Sequence, residues 1–152
     1  WDFQNSLDWH LLQYPFHNGI KKVITKLNKL YKTEPALHEK QFSPEGFEWI
    51  NYSDHENAVM SYIRKGNDPK DDLIIVLNFT QVMRKNYRIG LNKTGKITEV
   101  FNSDDVDFGG SGVNNSKKIT IENNPYDGKE YSAPITLPPL GVTVFRIDEI
   151  KK

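Results

Sequence analysis

The run Leu-Ile-Ile-Val-Leu at the centre of DDLIIVLNFT, residues 71–80, is the longest unbroken stretch of branched apolar side chains in the sequence. Two aspartates precede it and an asparagine follows it, so it has the length of a strand rather than of a helix. Because successive side chains of a strand point to opposite faces, a strand that is apolar at every position is buried on both. The run therefore predicts a central strand of a β-sheet.

Seven further runs are rich in β-branched and aromatic residues, and each is bounded by Gly, Asn, Asp or Pro. They are GFEWINY (46–52), AVMSYIRKG (58–66), KNYRIGL (85–91), GKITEVFNS (95–103), KKITIEN (117–123), SAPITLPP (132–139) and GVTVFRID (141–148). In KNYRIGL the apolar and polar residues alternate, which predicts a strand with one solvent-exposed face. A spacing of about ten residues without a helical pattern between the runs is typical of an antiparallel sandwich or barrel. The sequence therefore predicts a mainly β protein.

One amphipathic helix is predicted before the strands, in HNGIKKVITKLNKLYKTEP, residues 17–35. Asn18 is a candidate N-cap, and Pro35 forbids continuation, so the predicted end is at residues 33–34. The apolar positions recur every three or four residues and form one stripe, Ile20, Val23, Ile24, Leu27, Leu30 and Tyr31. We expect the helix to dock on its own sandwich through this stripe, with dimerisation as the alternative.

The composition excludes several classes of partner. Twenty basic and twenty acidic residues give a formal net charge of +0, so no general field attracts nucleic acid or anionic lipid. No apolar run approaches the roughly 20 residues of a membrane-spanning helix, and the first residues lack the pattern of a signal peptide. The sequence has no cysteine, which suits a reducing compartment. We therefore expect a cytoplasmic protein that binds neither nucleic acid nor membrane.

Two loop motifs and the four histidines are candidate sites. FGGSGVNNSKK (108–118) is glycine-rich but lacks the Gly-Lys-Ser/Thr end of a phosphate loop, and a strand rather than a helix follows it. The acidic run 104–107 offers oxygen ligands for calcium, but a calcium loop read from Asp105 has Gly109 and Ser116 where acids are required. No metal-binding spacing joins His10, His17, His38 and His55. We interpret these features as structural and predict no metal and no cofactor.

Aromatic residues are the better candidates for contact with sugars, whose C–H faces pack on rings that also carry a polar group. Trp1 and Trp9 lie in a segment with weak periodicity, which leaves both a contact surface and packing within the fold open for them. Trp49, between Phe47 and Ile50 in a predicted strand, is predicted to pack in the core. Hydrolysis or transfer of a glycoside requires two carboxylates that lie close together. Asp8, Glu45, Glu48 and Glu56 are available, but the sequence does not show that any two of them converge.

Six motifs in order resemble the C-terminal part of bacterial 1,4-α-glucan (glycogen) branching enzymes, members of the alpha-amylase superfamily. They are NSLDWHLLQYP (5–15), LNKLYKTEPALHE (27–39), PEGFEWI (44–50), LNFT with YRIG (77–90), NSDDVDFGGSGVNN (102–115) and LPPLGVTVFRI (137–147). The resemblance covers nearly the whole chain.

The resemblance implies a fragment. Residues 1–40 would be the end of a catalytic (β/α)8 barrel, a loop plus the last helix, and residues 41–152 an antiparallel β-sandwich of the alpha-amylase C-terminal all-beta type. Asp8, Trp9 and His10 match the family's LDWH motif and, with Trp1, are candidates for contact with glucan. No motif of the catalytic carboxylates is present, so the resemblance implies an enzyme whose chemistry lies outside this sequence.

Two functional hypotheses follow. In the first, the chain is the accessory part of a branching enzyme, with the barrel of the same parent chain as its partner and weak or no binding of glycogen or amylose. In the second, it is a free-standing carbohydrate-binding module.

Overall fold

The computed structural model describes residues 2–148, which contain one α-helix and eight strands. Helix α1 spans Pro15–Thr33. The strands are β1 Phe47–Asp54, β2 Val59–Arg64, β3 Leu73–Asn78, β4 Arg84–Leu91, β5 Lys96–Asn102, β6 Ile119–Thr120, β7 Tyr131–Leu137 and β8 Val142–Asp148. Short 3-10 helices lie at Trp9–Gln13, Pro35–Leu37, Pro44–Gly46, Pro69–Asp71 and Val106–Phe108. Each of the eight predicted strands is confirmed.

Two antiparallel sheets pack face to face. Six strands form the larger sheet in the order β1-β2-β3-β8-β5-β6, and β4 pairs with β7 in the smaller one. Strand β3 lies between β2 and β8, and five of its six residues are buried. The predicted central strand and the predicted antiparallel sandwich are therefore confirmed.

The main core lies between the two sheets. The larger sheet contributes Ile74 and Val76 of β3 and Phe145 of β8, and the smaller sheet contributes Ile89 and Ile135 among others. These side chains follow the two-residue alternation of each strand, which directs every second residue into the sandwich.

A second core lies on the outer face of the larger sheet. Leu73 and Ile75, the β3 residues that point away from the main core, pack there against Leu30 of α1 and Ala36 of the adjoining 3-10 helix. The molecule thus has three layers: helix, six-stranded sheet and two-stranded sheet. Because β3 lies in the middle layer, it contributes side chains to both cores.

Helix α1 differs from the prediction at its start and agrees at its end. It begins at Pro15, with Tyr14 as N-cap, and Asn18 lies inside the first turns. Proline is favoured at the first helical position because its φ is already helical and its missing N–H leaves no donor unsatisfied. The helix ends at Thr33, as predicted, where the Glu34 N–H donates to the Leu30 carbonyl. In the described residues 2–148, no helix is long and apolar enough to cross a membrane.

The helix docks on its own sandwich, as expected, but through only two residues of the predicted stripe, Val23 and Leu30. Gly19 and Leu30 are buried and Val23 is half-buried, whereas Ile20 and Ile24 are 65% and 53% exposed. Gly19 permits the close approach, because a Cβ at this position would lie 2.4 Å from the Phe108 carbonyl oxygen. The contact face is therefore set by a glycine rather than by the richest apolar stripe.

A Gly19→Ala substitution is expected to loosen this docking. The new methyl group would overlap the Phe108 carbonyl oxygen, and overpacking costs about 1–3 kcal/mol, more than the ~1 kcal/mol that alanine gains over glycine in a helix. We expect a lower free energy of unfolding in urea and faster tryptic cleavage at the lysines of α1. Asn28→Ala, at an exposed site on the same helix, is the control. A Gly19→Ala protein as stable as wild type would contradict this account of the docking.

Candidate functional site

The exposed face of α1 carries five large apolar side chains. We call it the apolar stripe; it consists of Phe16, Ile20, Ile24, Leu27 and Tyr31, all exposed. Their spacing of four, four, three and four residues places them on one side of the helix. Water therefore covers a face whose composition is that of a protein interior.

The opening segment, which directly precedes α1, carries three of the four predicted contact residues. Trp9 and His10 lie in the 3-10 helix Trp9–Gln13, which Asp8 precedes, and all three side chains are exposed. Asp8 Oδ1 lies 3.9 Å from His10 Nδ1, and the Trp9 side chain is 62% exposed. Trp1, the fourth candidate, lies outside the described residues. The segment presents an aromatic ring and two polar groups at the surface, and their role in glucan contact stays a prediction.

An aromatic cluster on β1 and β2 is the feature that the sequence reasoning missed. The Phe47 ring lies 4.8 Å from that of Trp49 and 5.0 Å from that of Tyr62, and Tyr52 lies 5.6 Å from Trp49 between ring centroids. The prediction that Trp49 packs in the core is wrong, because its side chain is 44% exposed. The buried neighbour Ile50 points into the sandwich, so alternation turns Trp49 outward. The alternation of side chains along β1 was the signal in the sequence that could have predicted this orientation.

The glycine-rich loop is organised by its own side chains. Asp104 accepts hydrogen bonds from the Ser111 N–H at 2.8 Å, the Ser111 hydroxyl at 2.6 Å and the Val113 N–H at 3.1 Å. Gly109 and Gly112 have φ of 92° and 83°, values that favour glycine. Within residues 2–148, no group of three or more His, Asp or Glu side chains could hold a metal ion. The Asp104 carboxylate therefore orders the loop.

A charged network joins β1 to the loops at one end of the sandwich. The carboxylate of Glu48 forms ion pairs with Lys129 and Lys65 and accepts a hydrogen bond from Asn92 at 3.1 Å. Hydrogen bonds from Lys129, then from Lys65, lower the pKa of Glu48 from 4.5 to about 2. This carboxylate is therefore held ionised in a structural network.

The stability that Glu48 contributes is expected to depend on pH. Because its pKa is lower in the folded chain, the contribution is complete above the unfolded pKa of about 4.5 and is lost as pH falls towards 2. The loss of unfolding free energy caused by Glu48→Gln should thus be largest near pH 6 and shrink towards pH 2, as measured by urea unfolding. Glu45→Gln, at an exposed glutamate on the adjoining 3-10 helix, is the control. A pH-independent effect of Glu48→Gln would contradict the assignment.

The comparisons with known proteins identify relatives for this arrangement. The family model described as "Alpha amylase, C-terminal all-beta domain" matches residues 49–148. The chain is 45% identical over 142 residues to the 1,4-alpha-glucan branching enzyme GlgB of Aquifex aeolicus, covering 93% of this chain and 22% of that protein. It is 46% identical over 147 residues to GlgB of Nitrosococcus oceani, covering 97% and 19%. Among solved structures, an alpha-amylase from H. orenii aligns with 86% of this chain and 20% of its own, at a TM-score of 0.47 and 20% identity. The chain thus spans about a fifth of the length of these curated relatives.

Proposed function

Because the chain belongs to the alpha amylase C-terminal all-beta domain family, we propose that it is the C-terminal part of a 1,4-α-glucan branching enzyme and supports the catalytic barrel of the same parent chain. Residues 1–40 end the barrel, and residues 41–152 form the sandwich. The parent enzyme transfers α-1,4-glucan segments to 6-hydroxyls and so makes the α-1,6 branches of glycogen in the cytoplasm. Support for this proposal comes from relatives named as branching enzymes that match 93–97% of the chain.

One observation carries the proposal: the exposed apolar stripe. The aromatic side chains Phe16 and Tyr31 are exposed by 75% and 46%, and Ile20, Ile24 and Leu27 add to them. With aromatic side chains of about 150–250 Å² each, these five residues expose several hundred Å² of apolar surface on one helix. A patch of this size on a monomer is usually an interface. A barrel whose last helix is α1 would cover this stripe.

In the proposed enzyme the chemistry takes place on the barrel. One carboxylate attacks the anomeric carbon while an acid protonates the departing oxygen, which breaks the α-1,4 bond and leaves a glycosyl ester. The incoming 6-hydroxyl then gives its proton to the same acid, now a base, and displaces the ester to form the α-1,6 bond. The present chain contributes the opening segment, in which Trp1, Asp8, Trp9 and His10 are proposed to border the glucan groove.

The experiment uses amylose and iodine. The chain alone is expected to leave the absorbance of the amylose–iodine complex unchanged, because it brings no catalytic carboxylate pair. Mixed with a separately produced N-terminal part of a related branching enzyme, it is expected to restore the fall in absorbance and the formation of α-1,6 links. Branching by the chain alone, or failure of complementation by two folded parts, would overturn the proposal.

The aromatic cluster favours a second candidate, a carbohydrate-binding module. Trp49 and Tyr52 present adjacent exposed rings on which a sugar face can pack. For this function we expect a native gel cast with amylose to retard the chain and Trp49→Ala to abolish the retardation. Phe42→Ala, which removes a 95% exposed aromatic ring outside the cluster and outside the proposed glucan contacts, is the control. A wild-type chain that migrates equally with and without amylose would exclude this candidate.

A further inference from the structure

Helix α1 concentrates positive charge in a chain whose formal net charge is +0. Between Pro15 and Thr33 it has no acidic residue and five lysines, Lys21, Lys22, Lys26, Lys29 and Lys32. Among the described residues, one ion pair involves these lysines, that of Lys22 Nζ with Asp107 Oδ1 at 3.6 Å. The other four ammonium groups of the helix are thus free to meet an anion.

Four of these lysines line a groove between α1 and the sandwich. The groove holds a cavity of about 430 Å³ bordered by Asn18, Thr25, Asp107, Phe108 and the lysines Lys21, Lys22, Lys26 and Lys29. A second cavity of about 260 Å³ shares Lys26 and Lys29 and extends to Val100 and Arg146. Both cavities together have the size of a small-molecule site. The lysine stems and the Phe108 side chain make the walls partly apolar.

The groove and the apolar stripe occupy different sides of α1. At about 100° per residue, Lys22, Lys26 and Lys29 lie about 150° around the helix from the centre of the stripe. A partner that covers the stripe therefore leaves the groove open. The acidic groups that border the two cavities are ion-paired, since Asp107 lies 3.6 Å from Lys22 and Glu34 pairs with Arg146.

We propose that this groove binds the phosphate of a sugar phosphate, with the ammonium groups of Lys26 and Lys29 as its main ligands. Lysine binds phosphate as a compact point charge through charge-assisted hydrogen bonds. The sugar ring packs on the Phe108 side and the lysine stems. The choice of a sugar rests on the proposed function, and the phosphate is either that of a free hexose phosphate or an ester carried by the glucan.

The test is calorimetric titration of the 152-residue chain with glucose 6-phosphate, with glucose and inorganic phosphate as comparison probes. We expect binding of glucose 6-phosphate, weaker binding of inorganic phosphate and no binding of glucose. Lys26→Gln/Lys29→Gln should weaken the affinity for glucose 6-phosphate at least about tenfold, because it removes two charged donors. Lys32→Gln/Lys117→Gln removes the same charge from exposed sites outside both cavities and should change the affinity less than about twofold. Glutamine keeps helix propensity, so folding is preserved.

Three outcomes would overturn the proposal: no binding of glucose 6-phosphate, an equal loss of affinity in both double variants, or equal affinity for glucose 6-phosphate and inorganic phosphate. A native gel with phosphate-bearing amylopectin, compared with the same polymer after phosphatase treatment, identifies the source. Retardation by the phosphate-bearing polymer alone assigns the ester on glucan, and equal migration assigns the free sugar phosphate. Failure of the branching assay would leave the contrast between the two lysine variants unaffected, so the two proposals fail separately.

Discussion

An Ile20→Asp/Ile24→Asp variant is expected to fold like the wild-type chain and to lose complementation of the catalytic part. Both side chains are exposed in the folded chain, so the unfolding free energy should change by no more than about 1 kcal/mol. In the proposed complex, both carboxylates would be buried without partners, at several kcal/mol each. We expect at least a 100-fold loss of affinity, on the order of the cost of one such group.

The measurement combines the amylose–iodine assay with titration of the variant against the separate catalytic part. Lys32→Asp is the control, since it changes the net charge by the same two units at an exposed site away from the apolar stripe. Full complementation by the Ile20→Asp/Ile24→Asp variant would show that the stripe is not the interface. An equal loss of affinity in Lys32→Asp would show that the added negative charge, and not the stripe, causes the effect.

Among the proposed substitutions, Phe145→Ala is expected to lower the free energy of unfolding most. Phe145 is fully buried on β8 in the main core between the sheets, and truncation of such a side chain costs about 3–5 kcal/mol through lost burial and the remaining cavity. Urea unfolding monitored by circular dichroism would measure the shift of the midpoint. Phe42→Ala removes the same ring from a site where it is 95% exposed, and its effect should stay within about 0.5 kcal/mol. Similar losses for both variants would contradict the assigned core.

The strands were predictable because their local signals agree with the fold. Each apolar run is bounded by residues that favour turns. The run 73–77 is apolar at every position, which predicts that both faces of this strand are buried. The end of α1 was also predictable, since proline at position 35 stops a helix. Its start differs from the prediction because Pro15, whose φ is already helical, begins the helix three residues before Asn18.

The face through which α1 docks could not be predicted from amphipathicity alone. Periodicity identifies the most apolar stripe but not the surface that covers it, and the docking depends on the fit of Gly19 against the Phe108 backbone. Such a contact joins residues far apart in sequence. The candidate contacts Asp8, Trp9 and His10 stay predictions, because their motif identifies a family resemblance rather than a geometry.

Strand β3 supplies Leu73 and Ile75 to the helix-covered core and Ile74 and Val76 to the core between the sheets. Successive side chains of one strand thus belong to two different cores. Unfolding of one core would therefore also disturb the other. The proposed domain boundary after residue 40 is therefore a poor starting point for a truncated protein. A chain beginning at residue 41 would lose Leu30 and Ala36 and would expose the apolar outer face of the larger sheet to water. We expect the sandwich and its helix to fold and unfold together, as a single cooperative unit.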